Sequence, residues 1–100
     1  MAATPDIAAR GRYLSNPVTV SLTGTTARSA QLKKQSKYEI FATVDWFFLQ
    51  GTVAVDATTS SHPRLAYQPT TIVVEDATSD GYIAGILSAG TGTLYIAELS

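Results

Sequence analysis

The chain has 100 residues, 45% of them hydrophobic and 15% charged, which is enough apolar material for one domain with its own core and too little charge for a disordered polymer. A net charge of −1, from seven basic and eight acidic side chains, supplies no field that would hold the whole molecule on nucleic acid or an anionic membrane. Disulfides and thiolate chemistry are excluded because cysteine is absent, and no apolar run approaches the roughly 18 residues of a membrane span.

Ser and Thr together make up roughly a quarter of the chain, above ordinary usage. Thr suits a pleated, half-solvated surface, so the excess points toward sheet. The basic residues gather in the first half, among them Arg10, Arg12, Arg28, Lys33, Lys34 and Lys37.

Residues 1–16 read as an N-terminal arm and 17–100 as the folded domain. The arm holds Pro5, Gly11 and a Ser15-Asn16-Pro17 breaker and lacks the apolar centre of a signal peptide. Pro5 to Arg12 is either one helical turn, capped by Thr4 with Pro5 at its first position, or a loose tail. Poor in large apolar side chains, the arm is expected to add little to folding and more to assembly, with Arg10 and Arg12 as candidate contact residues.

From Val18 to Leu22 apolar side chains alternate with hydroxyls, the pattern of a strand with one buried face. Gly24-Thr25-Thr26 turns the chain, and Ala30 to Lys34 is a weak strand with Leu32 inward. Tyr38, Ile40, Ala42 and Val44 share one face, opposite Glu39, Thr43 and Asp45; Thr43 should meet water and tolerate alanine. In Trp46-Phe47-Phe48-Leu49 both faces become apolar, so the strand is covered on both sides or bulged. These four residues are candidates both for the core and for an interface with a neighbouring subunit.

Val53 and Val55 continue the run briefly before a polar loop from Asp56 to Pro63. Strands are expected at Arg64 to Tyr67 and Thr70 to Glu75, with Ile72 and Val74 inward. Asp76 to Gly81 is a turn cluster. Tyr82 to Ala89 and Thr93 to Leu99 suggest a hairpin around Gly90-Thr91-Gly92, whose glycines allow positive φ. The predicted fold is all-β, a small antiparallel sandwich or barrel of seven to nine short strands, with Ile40, Val44, Ile72, Ile86 and Ile96 central to its core.

No reaction machinery is apparent. His62 is the only histidine, precedes Pro63 in a polar loop and lacks a nucleophile-elbow pattern. Glu75, Asp76 and Asp80 bracket a turn; they bind a cation, serve as acid and base or, as is commoner at strand ends, cap backbone. Gly90-Thr91-Gly92 lacks the helix and lysine of a phosphate-binding loop. No catalytic, metal or cofactor site is predicted, and the chain is not expected to be an enzyme.

The stretches KYEIFATVDWFFLQGT and SDGYIAGILSAGTGTLYIAELS resemble small structural proteins encoded beside tailed-phage head genes. Tyr38 to Asp45 matches a Y-x-h-x-A-T-x-D strand, Ile83 to Ile86 an I-A-x-I strand, and Gly92 to Leu99 a G-T-h-x-h-x-E-h strand. The match covers the last two thirds of the chain. DGYIAGIL is also similar to the head-decoration proteins of lambdoid phages, β-rich trimers on the capsid lattice. The resemblance implies a virion structural protein made in the host cytoplasm and seated on the capsid surface. Its partners would be the major capsid protein and further copies of itself, in a homo-oligomer with a trimer favoured. It carries over no site residue. A different reading is a tail-associated module that recognises a host receptor or glycan, with sugar rings stacked on Trp46 to Phe48.

Overall fold

The computed structural model describes residues 16–99. They form β1 (Val18–Leu22), β2 (Ala27–Arg28), β3 (Ser36–Ala42), β4 (Trp46–Gly51), β5 (His62–Arg64), β6 (Thr70–Val74), α1 (Ala77–Asp80), β7 (Tyr82–Ile86) and β8 (Gly92–Leu99). Two four-stranded sheets result, ordered β1-β8-β3-β6 and β2-β7-β4-β5, and every pairing is antiparallel. The chain is all-β, as its alternation implies.

The first sheet follows the period-two pattern. In β3, Tyr38, Ile40 and Ala42 are buried while Lys37, Glu39 and Phe41 are half-exposed. Ile72 and Val74 of β6, Leu94 and Ile96 of β8, and Leu22 of β1 turn the same way. Trp46 and Phe48 of β4 and Ile83 of β7 meet them from the second sheet, and Leu32 and Leu87 join from connecting segments. Each such side chain contributes roughly 1.5–3 kcal/mol by leaving water.

Several expectations are corrected. The terminal hairpin does not form: β7 pairs with β2 and β4, whereas β8 pairs with β1 and β3 in the other sheet. The Gly90 segment therefore crosses between sheets. Gly90 does take a φ of 81°, so its local conformation fits a turn while its partners do not fit a hairpin.

Ile86 is not central to the core. It lies on the outer face of β7 opposite Phe47, and the inward positions are Ile83, Gly85 and Leu87. A one-residue change of parity exchanges the faces of a strand, and Gly85 decides it here. A Cβ at Gly85 would sit 3.1 Å from Trp46 Cε3 and 2.8 Å from Leu22 Cδ2. The indole occupies the room that the missing side chain leaves. Val44 lies past the end of β3, partly buried against the core.

Ala30 to Lys34 forms no strand, although Leu32 is buried, its N–H donating to the Gly81 carbonyl at 2.8 Å. The strand lies earlier, at β2. His62 and Pro63, expected in a loop, begin β5, and the chain leaves that strand after Arg64, so no strand reaches Tyr67. Val53 does not continue β4 and is 60% exposed. Asp76 to Gly81 contains a helical turn. Of the expected arm, residues 1–15, with Pro5 to Arg12 and both candidate arginines Arg10 and Arg12, lie outside the described residues.

Candidate binding surface

The doubly apolar stretch of β4 has an explanation within the chain. Trp46 and Phe48 point into the core, 1% and 7% exposed, with ring centroids 5.3 Å apart. Of the two expected roles, both side chains take that of core residues within this chain. Phe47 and Leu49 point the other way and are half-buried. On that face Ala84, paired with Leu49, is fully buried, although it lies outside the sandwich. The Thr52–Asp56 segment is tied to this side, with Arg28 donating to the Val53 carbonyl and standing 3.7 Å from Asp56. The Ala57 N–H donates to Thr26 Oγ1 at 2.9 Å.

A cavity of about 330 Å³ opens beside Phe47, between Trp46, Pro63, Arg64 and Leu65. Trp46 Nε1 is the one buried side-chain nitrogen or oxygen among the described residues without a hydrogen-bond partner. The polar groups at the cavity already have structural partners. Asp45 Oδ1 accepts from the Ala66 N–H at 2.8 Å, and Gln68 Oε1 from the Leu65 N–H at 3.0 Å. Arg64 donates from Nε to Thr70 Oγ1 at 2.8 Å and lies over the Phe48 ring.

Those bonds shape the Leu65–Gln68 turn, which holds two exposed large hydrophobic side chains, Leu65 and Tyr67. The Gln68 N–H closes the turn on the Leu65 carbonyl at 3.2 Å. Tyr67, third in the turn, has a φ of 58°, in the left-handed region where such a turn ordinarily takes glycine or asparagine. Its N–H donates to the Ala42 carbonyl at 2.7 Å, which carries the side chain to the outer face of the first sheet. There Phe41 of β3 stands opposite Tyr95 of β8 in register. The Phe41 and Tyr95 ring centroids are 5.1 Å apart, and the Tyr67 centroid lies 6.3 Å from that of Phe41. Thr19 of β1 pairs with Tyr95, and Ser21 with Thr93. Three aromatic rings in a row, bordered by hydroxyls, thus cross the outer face.

Tyr67 is 65% exposed, as is Leu65 in the same turn. A bulky residue held at positive φ costs of order 1–3 kcal/mol, and such strain clusters at working surfaces. The three rings come from residues 41, 67 and 95, so no local pattern links them. One signal was available: Phe41 is the aromatic residue between the inward-facing Ile40 and Ala42.

The remaining polar candidates serve the fold. Asp76 Oδ1 accepts from the Thr78 N–H at 3.1 Å and its hydroxyl at 2.8 Å. Those bonds hold the Asp76 carboxyl below its ordinary pKa. Asp80 accepts from the N–H groups of Glu75 and Asp76, each at 3.1 Å. His62 is exposed, its ring 5.5 Å from that of Phe48. Among the described residues no group of three or more His, Cys, Asp or Glu side chains is placed to hold a metal ion. No helix among them is long and apolar enough to cross a membrane. Comparisons of the chain with protein-family models, with curated proteins and with solved structures find no match.

Proposed function

We propose that the protein is a virion structural component: a cement protein that binds the major capsid protein on the outside of a phage head and stabilises the shell without chemistry or cofactor. The observation that carries the reading is the row Phe41, Tyr95 and Tyr67, completed by a tyrosine held at a φ of 58°. Tyrosine and phenylalanine are enriched where proteins bind one another, because a rigid ring covers much area and orders few torsions. The resemblance of Tyr38 to Asp45 and of Gly92 to Leu99 to proteins encoded beside phage head genes supports the choice of a capsid protein as partner.

A tail module that binds glycans is the second reading, and it rests on the same row rather than on Trp46 and Phe48. Hydroxyls of Thr19, Ser21 and Thr93 beside aromatic rings also suit a sugar.

The test uses undecorated shells and the Tyr67→Gly variant. Glycine adopts positive φ freely, so the variant should melt within a few degrees of the wild type. Loss of one ring from the row should weaken shell binding at least tenfold, the equivalent of about 1.4 kcal/mol. Wild-type protein that ignores the shells and is retained on a glycan array would favour the tail module. Undiminished shell binding by Tyr67→Gly would remove the aromatic row from the account.

A further inference from the structure

The sheets end in four strands: β1 and β6 in the first, β2 and β5 in the second. A free edge presents unpaired N–H and C=O groups, and folded proteins block it with short strands, proline or groups laid over it. Two of the four are short and a third is partly capped. β2 is two residues long. β5 is three residues long and contains Pro63, which has no N–H to offer. At β6, Gln50 Nε2 donates to the Val73 carbonyl at 2.8 Å, and just beyond it the Glu75 N–H is taken by the Asp80 carboxylate.

Among the described residues β1 carries no such device. It runs for five residues, Val-Thr-Val-Ser-Leu, with neither charge nor proline, and among the described residues it pairs with β8 alone. Its inward face also runs out of cover. Leu22 is fully buried and Val20 partly so, but Val18 is 51% exposed. Beside Val18 a groove of about 400 Å³ is lined by Leu32, Tyr38 and Ile96, with Lys33 and Glu98 paired at 2.8 Å.

The pattern of β1 indicates what fits there. Apolar, hydroxyl, apolar, hydroxyl, apolar reads the same in both directions. Two copies laid antiparallel about a two-fold axis at Val20 set Val20 against Val20, Val18 against Leu22, and Thr19 against Ser21. Every apolar side chain then falls on one face and every hydroxyl on the other, with no like charges opposed. A head-to-tail contact would need a second open edge; β2 and β5 are too short to offer one, and at β6 the Gln50 amide already holds the Val73 carbonyl. We propose that the β1 edge is a self-association site, pairing two copies of this chain across a two-fold axis so that their first sheets become one continuous sheet.

The resemblance to decoration proteins implies a trimer, so the mass of the assembly separates the two. At high micromolar concentration the wild type should sediment at twice the chain mass of 10.6 kDa. Val18→Lys, at a position 51% exposed, should sediment at the chain mass, and should match the melting temperature of the wild type once both are diluted to monomer. Because the chain has no cysteine, a single introduced one reports the register without background. Directly opposed residues of antiparallel strands lie about 4.5–5.5 Å apart, within disulfide range. Val20→Cys should therefore give a covalent dimer on mild oxidation. Ser21→Cys should not do so alone, but should crosslink when mixed with Thr19→Cys. A wild-type monomer, a trimer, or a dimer that Val20→Cys fails to crosslink overturns the proposal. Shell binding is a separate property, and either can fail with the other intact.

Discussion

Thr43 joins the end of β3 to the start of β8. Its N–H donates to the Thr93 carbonyl at 3.0 Å, and its Oγ1 accepts from the Thr93 N–H at 3.1 Å. The hydroxyl thus replaces a strand pairing where β3 has already ended. Thr43→Ala would leave the partly buried Thr93 N–H without that acceptor, at a cost of about 1 kcal/mol, while Thr43→Ser should stay within about 0.5 kcal/mol of the wild type. Denaturant titration of both variants checks this, and equal effects would mean that the hydroxyl is not the relevant group. The alternation alone places Thr43 toward water. What it omits is that a polar face at a sheet corner has backbone to satisfy. Tyr67 carries a similar lesson, since its value to the surface is set by φ and not by residue type.

β3 was legible because its inward positions, Tyr38, Ile40 and Ala42, alternate strictly with the half-exposed Lys37, Glu39 and Phe41. Ile40 is fully buried between β6 and β8, so Ile40→Ala should cost about 2–5 kcal/mol, read from denaturant unfolding. A loss below about 1 kcal/mol would show that the core lies elsewhere. β7 was not legible, because Ile83-Ala84-Gly85-Ile86-Leu87 is apolar at both parities and only contact with Trp46 selects one. The turn before it was legible as polar capping, though not as α1. Asp76 there has a lowered pKa, first through the hydroxyl and N–H of Thr78 and more weakly through Ser79 and Lys34. A carboxyl with a lower pKa folded than unfolded stabilises the fold above its ordinary value, and that contribution disappears as pH falls through the lowered one. The melting temperature should therefore fall more steeply on acidification in the wild type than in Asp76→Asn, which keeps a capping oxygen without the titration. Parallel curves would show that Asp76 does not contribute.

Every connection except β4–β5 carries the chain from one sheet to the other. Turn chemistry around Gly90 is the same whether the next strand pairs with the last or crosses over, which is why the sequence suggested a hairpin that does not form. The class of fold was legible from period two; the partners of each strand were not, because pairing is decided by residues far apart in the chain. The proposed surface has the same origin, since Phe41, Tyr67 and Tyr95 meet only when β3 and β8 pair and the Leu65–Gln68 turn folds back on Ala42. A shell-binding role makes the sandwich a rigid frame for that row and leaves the β1 edge for assembly. Image reconstruction of particles carrying the protein tests this role most directly. The account predicts density repeated regularly over the head surface, with the outer face of the β1-β8-β3-β6 sheet against the shell. Density confined to the tail, or heads left bare in particles that contain the protein, would contradict it.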